Sequence, residues 1–235
     1  MSRPLEAAIL LVLGVVVARL ALEGGYLAYV KPSLFIPLLL TGAALVGLCV
    51  AALRRSPGTE GSTSGHPPPK TGLLLLAPVL VIVLVAPDPL GAFAVGRGSV
   101  NSLAQDLASD LPPLEVQGDE PIVLSISEFI LRTYAGGDAG TQGVTVTLKG
   151  FVVDDEDTDA VRLSRFAISC CAADATPRQV KVTGLDNDWA EDTWIEVTGV
   201  WQGELASEDP RVPMFTVTSA RAVATPSTPY EFATY

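Results

Sequence analysis

The sequence predicts a chain in two parts, a membrane α-helical N-terminal part and a mainly-β C-terminal domain closed into a small barrel. Three observations predict it. Apolar residues crowd the first 86 of the 235 positions in runs too long for ordinary core helices. Charge does the reverse, since only Glu6, Glu23 and Glu60 of the 26 acidic residues precede residue 87. From residue 143 onward, apolar and polar residues alternate with a period of two.

The first span covers residues 5–22, LEAAILLVLGVVVARLAL, a length that just crosses a hydrocarbon core of about 30 Å. Its apolar stretch is long for a signal peptide and no small-x-small cleavage site follows, so an uncleaved span is expected. Arg19 lies near its outer end, where a long basic side chain snorkels to the interface. The second span, 33–53, ends at Arg54-Arg55. The third, 71–86, is the shortest and is interrupted by Pro78, with a re-entrant segment as the alternative.

The basic residues set the orientation. Arg54, Arg55 and Lys70 flank the loop between the second and third spans, whereas Lys31 stands alone between the first and second. The 54–70 loop and the N-terminus with Arg3 are therefore expected in the cytoplasm, and everything beyond residue 87 outside it. This makes a multi-pass cell-membrane protein whose first partner is the lipid bilayer. The loop is rich in Gly, Ser and Pro and holds His66, the only histidine, which reads as a solvated side chain.

Three regions follow: a membrane domain at 1–86, an extended stalk at 87–120 with a short helix near Asn101–Ser109, and an extracytoplasmic β-rich domain at 121–235. Beyond residue 87 the chain carries nine basic and 23 acidic residues, a net −14. Such a surface repels phosphate backbones and disfavours nucleic acid as a partner.

The β-rich domain opens with SISEFILRTYAGG. Ser125 and Glu128 match a capping box, Ile126, Phe129, Ile130 and Tyr134 supply an apolar face, and Gly136-Gly137 ends the helix. Strands are expected at VTVTLKG, VRLSRFAISCC, RQVKVTG, TWIEVTGVW and MFTVTSARAV. In the second of these the apolar phase moves from Val161 and Leu163 to Phe166 and Ile168, which predicts a bulge or bend. Five short strands with polar turns fit a small OB-like barrel.

Candidate sites are few. The run Asp154–Asp159 begins like a calcium loop, but Ala160 and Phe166 stand where a Gly and a bidentate Glu are needed, so a solvated turn is expected. Asp186, Asp188, Glu191 and Asp192 form a second acidic turn. Cys49 reads as a small buried residue, and three cysteines make no disulfide framework. The vicinal pair Cys170-Cys171 is the sharpest feature. On a strand the two point to opposite faces, which argues against joint chelation. Packing or a strained vicinal disulfide, soft-metal binding and thiol redox chemistry remain open, with Asp174 as an accessory ligand. The domain has no histidine for a full zinc set or for a Ser-His-Asp triad, and no phosphate-cradling Gly loop. A non-enzymatic role is expected, with no cofactor beyond a soft metal ion.

The stretch from Ser125 to Trp201 resembles the YcgQ-like family of bacterial permease subunits, which join hydrophobic N-terminal spans to a C-terminal domain of unknown function. The likeness rests on SISEF at 125–129, GFVV at 150–153, RFAISCCAADA at 165–175, and Trp194, Val197 and Gly199 as W-x-x-V-x-G. It implies a larger multi-span permease as partner, and an accessory role in transporting an unidentified solute or metal ion. By match of motif it makes Cys170, Cys171 and Asp174 candidate site residues. The long loop at 56–70 and the long stalk depart from the family pattern.

Overall fold

The computed structural model describes residues 3–54, 81, 88–98, 100–101, 111–115, 118, 120–135, 140–154, 161–185, 189–207, 209 and 211–232. They divide into two compact units, Met1–Asp88 and Pro89–Tyr235.

The first unit is a helical hairpin. Helix α1, Arg3–Leu22, and helix α2, Phe35–Arg54, are joined through short 3-10 turns at Gly25–Ala28 and Pro32–Leu34. Small residues let the two helices approach closely. A Cβ on Gly42 would lie 3.0 Å from the Gly14 carbonyl oxygen and 3.2 Å from Ala18 Cβ. Pro32–Arg54 is long and apolar enough to cross a membrane, and the apolar stretch of α1, Ala7–Leu22, is shorter. Ile36, Leu40, Leu48 and Leu53 on α2 are each more than half exposed, unlike the buried stripe of a soluble core helix. Arg19 pairs with Glu23 one turn on at 2.8 Å, both side chains exposed. The third expected span, Val81 excepted, and the loop with His66 lie outside the described residues.

The second unit is a closed five-stranded barrel with additions. A single turn, α3, spans Ala92–Val95, a short strand β1 spans Ile122–Val123, and helix α4 spans Ile126–Ala135. Then come β2 (Thr145–Asp154), β3 (Val161–Ile168), β4 (Thr176–Thr183), β5 (Trp194–Leu205), β6 (Pro213–Ala222) and β7 (Glu231–Phe232). The sheet runs β1-β2-β5-β6-β4-β3-β7, and a further β2–β3 pairing closes β2 to β6 into a barrel. All barrel pairings are antiparallel except β4 with β6, where Val182 pairs with Phe215.

The alternating residues of the strands meet inside. Val146, Leu148, Leu163, Val180, Ile195, Val197 and Phe215 form the barrel core with Ile126, Phe129 and Ile130 of α4. The Phe129 ring meets Phe215 edge-on at 5.4 Å, so the helix plugs the barrel. Gly150 makes room for that plug. A Cβ there would sit 2.6 Å from the Ser164 carbonyl and 2.9 Å from Ile126 Cδ1.

Two expectations are corrected. The phase change in β3 is no bulge, because its register with β4 is continuous from Val161 to Ala167. Val161 and Leu163 face the barrel core, whereas Phe166 and Ile168 join a second apolar cluster with Ala92, Val95, Phe151, Trp194 and Tyr230. Register shifts occur instead between β5 and β6, at Thr198/Gly199 and Trp201/Leu205. Nor is the start of the stalk extended. Leu90, Ala92 and Val95 pack in that second cluster, and buried Asn101 donates to the carbonyls of Gln179 and Arg211 at 3.0 and 2.7 Å. The helix expected near Asn101–Ser109 lies outside the described residues beyond Asn101, which itself sits in a turn.

The N-terminus of α4 is half the expected capping box. The Glu128 amide donates to Ser125 Oγ at 3.0 Å, but the Glu128 carboxylate accepts from Arg132 Nε at 3.0 Å. The free amides of Ile126 and Ser127 donate instead to the two carboxylate oxygens of Glu231, each at 2.7 Å.

Candidate functional site

Strand β3 stops at Ile168, so Cys170 and Cys171 lie in the bend that follows it. The sequence Cys171-Ala172-Ala173-Asp174 then makes one 3-10 turn with Cys171 as N-cap. The Asp174 amide donates to the Cys171 carbonyl at 3.0 Å, and the Asp174 carboxylate reaches back to the Cys171 amide at 3.2 Å. Cys171 and Asp174 thus take the positions of a capping box, with a thiol in place of the usual hydroxyl.

Asp174 organises the whole bend. Its Oδ1 accepts the Ser169 amide at 2.8 Å, and its Oδ2 accepts the amides of Cys170 and Cys171 at 2.8 and 3.2 Å. The bend brings both thiols to one side, with Sγ atoms 3.6 Å apart and no bond between them. The expectation that the two cysteines face apart is therefore corrected. It assumed that the strand continued through them, and Asp174 pulls the backbone out of that geometry. Cys170 is exposed, Cys171 is half-buried, and Cys49 is buried in α2.

The electrostatics follow from these contacts. The Cys170 thiol hydrogen-bonds to the Asp174 carboxylate and to Cys171, which pushes its pKa up to about 11. Some desolvation opposes it, but the Cys170 thiol and the three amides hold Asp174 at about 2. At neutral pH Cys170 is thus a protonated thiol beside a fixed negative charge, a poor nucleophile by itself. Among the described residues, Cys170, Cys171 and Asp174 bring three ligand atoms within 4.8 Å of one another.

The remaining candidates separate. Residues 155–160 of the first acidic run and 186–188 of the second lie outside the described residues. Asp192 is not merely solvated, because its Oδ1 accepts the Ala92 amide at 2.6 Å and pins the α3 segment to the barrel. Sequence reasoning also missed a cleft of about 590 Å³ beside that segment, lined by Phe93, Val100, Asp154, Arg162, Gln179 and Asp192. Arg97 stacks over the exposed Phe93 ring at 4.4 Å. An Ala-Phe-Ala-Val stretch amid polar residues was the local signal for the contact.

No curated protein and no solved structure matches the chain. Residues 138–233, from just before β2 through β7, match the family described as DUF1980 C-terminal domain, a domain of unknown function.

Proposed function

We propose that this chain is a membrane-anchored accessory subunit of a two-component permease, with the barrel domain outside the cytoplasm serving an unidentified solute or metal ion. The observation that carries this reading is the pairing of a DUF1980 C-terminal domain with an apolar helical hairpin whose α2 face is exposed. A greasy, unburied helix belongs in lipid or against another apolar helix. Almost no charge lies within the three spans of the sequence, so they make a poor transport pathway alone, which is the physical reason to expect a multi-span partner.

The barrel reading supports a binding role over catalysis. Counted within the barrel, the strands run first-second-third-fifth-fourth and back to the first, with a parallel third–fifth pair. That is the order of an OB-like barrel, a scaffold that hosts many ligands and implies none by itself. Co-purification from native membranes in mild detergent tests the reading. A multi-span protein recovered in stoichiometric amount is expected, and recovery of the chain alone would overturn it. Labelling of Cys170 in intact cells by an impermeant maleimide tests the orientation, and labelling only after lysis would reverse it.

A second reading is favoured by the thiol pair. The barrel domain then binds a soft metal, or undergoes thiol redox chemistry, through Cys170 and Cys171. Mass measurement with and without reductant separates the two, since a vicinal disulfide is lighter by two hydrogens.

A further inference from the structure

The spacing of the two thiols selects among soft metal ions, and this inference rests on the second reading above. Two sulfurs bound to one ion at about 2.3 Å and separated by 3.6 Å subtend about 103° at the ion. That is close to the tetrahedral angle of about 109°. A linear two-coordinate ion at the same bond length would need the sulfurs about 4.6 Å apart. We propose that Cys170, Cys171 and Asp174 form a three-ligand site for a tetrahedral divalent cation of the zinc class, with its fourth position open to solvent or to an incoming ligand.

The surrounding contacts supply what such a site requires. An ionised carboxylate has about four acceptor positions. Backbone amides occupy three of them on Asp174, which fixes the carboxylate beside the two thiols. Binding breaks two S–H bonds, forms two S–metal bonds and releases two protons to solvent. Cys170 is exposed, so the ion has an entry path and an uncovered face. A closed structural zinc site has four protein ligands, whereas three leave an exchangeable corner.

The test uses the full chain in mild detergent, kept reduced and titrated with Co²⁺ alone. One Co²⁺ per chain is expected, with a sulfur-to-cobalt charge-transfer band and the intense visible bands of tetrahedral cobalt, all lost on adding Zn²⁺. Cys170→Ser and Cys171→Ser should each abolish the charge-transfer band while leaving the tryptophan emission of the barrel unchanged. Asp174→Asn should weaken binding by about tenfold or more, and unchanged affinity would remove Asp174 from the site. A small thiol added in excess should shift the visible bands, and no shift would show the fourth corner closed. Weak octahedral bands, or bands that survive both serine variants, would overturn the inference. Binding of Ag⁺ without Co²⁺ or Zn²⁺ would sink the tetrahedral assignment but leave the soft-metal reading standing. Failure of all three ions to bind would end both.

Discussion

The carboxylate of Glu231 accepts the amide hydrogen of Ile126 at 2.7 Å across 105 residues of chain, so β7 caps the helix that plugs the barrel. The same carboxylate lies 3.8 Å from Arg165, with both side chains largely buried. Arg165 in turn donates to the carbonyls of Pro229 and Thr228 at 3.0 and 2.7 Å. Burial lowers its basicity and Glu231 offsets part of that. Removing the charge with Glu231→Gln should cost about 1–3 kcal/mol. Truncation with Glu231→Ala should cost about 3–5 kcal/mol, because it strands a buried cation. Urea unfolding followed by tryptophan emission measures both, since Trp189, Trp194 and Trp201 all belong to the barrel domain. Equal stability of the alanine variant and the parent would refute this role.

Gly150 is predicted to be intolerant of any side chain. Its Cβ position faces the Ser164 carbonyl at 2.6 Å, and backbone cannot step aside cheaply. Gly150→Ala should destabilise the barrel by about 1–3 kcal/mol, the usual cost of overpacking. Ile126→Val removes the methyl nearest that position, so the double variant should recover part of the loss. Strict additivity in the unfolding data would contradict the proposed contact.

The face of the barrel carrying Glu196 should make acid stability pH-dependent. Hydrogen bonding to Arg221, with Lys149 3.3 Å away on the other side, lowers its pKa from the usual 4.5 despite some desolvation. A carboxylate with a depressed native pKa contributes stability above the unfolded value, and that contribution fades as pH falls through the native value. The melting temperature of the parent should therefore drop more steeply below pH 4.5 than that of Glu196→Gln. Parallel curves for the two proteins would remove Glu196 from the account.

The α1–α2 hairpin makes a geometric prediction. A Cβ at Gly42 would lie 3.2 Å from Ala18 Cβ, so a small outward shift reaches the roughly 3.5–4.5 Å that a disulfide spans. Ala18→Cys with Gly42→Cys, in a chain whose native cysteines are replaced, should cross-link within one molecule on mild oxidation. Cross-links that form only between molecules would rule out this hairpin.

Where residues act on near neighbours, the sequence was readable. Alternation marked the barrel strands because each lines a shared apolar interior at Val146, Val180, Ile195 and Phe215. The helix at Ile126–Ala135 announced itself through Ser125 and its apolar spacing. The face change in β3 was read as a bulge or bend, and no bulge is there, because nothing local to Phe166 tells that a second cluster waits outside the barrel. Glu231 as a cap had no local sign at all, since its partners lie at the far end of the domain. The thiol geometry was half visible. Asp174 three residues after Cys171 has capping-box spacing, but a cysteine in the N-cap position is not the residue that pattern leads one to expect.

Tyr230 and Glu231 follow all five barrel strands in the order of synthesis, yet one holds the Leu90 amide through its hydroxyl at 3.1 Å and the other holds α4. During synthesis, a chain that has delivered all five barrel strands still lacks the two side chains that tie the Leu90 segment and α4 to the barrel. Quality-control proteases would meet an assembled but unlatched barrel during that interval. A premature stop just after β6 should accordingly yield a product that is made and then cleared.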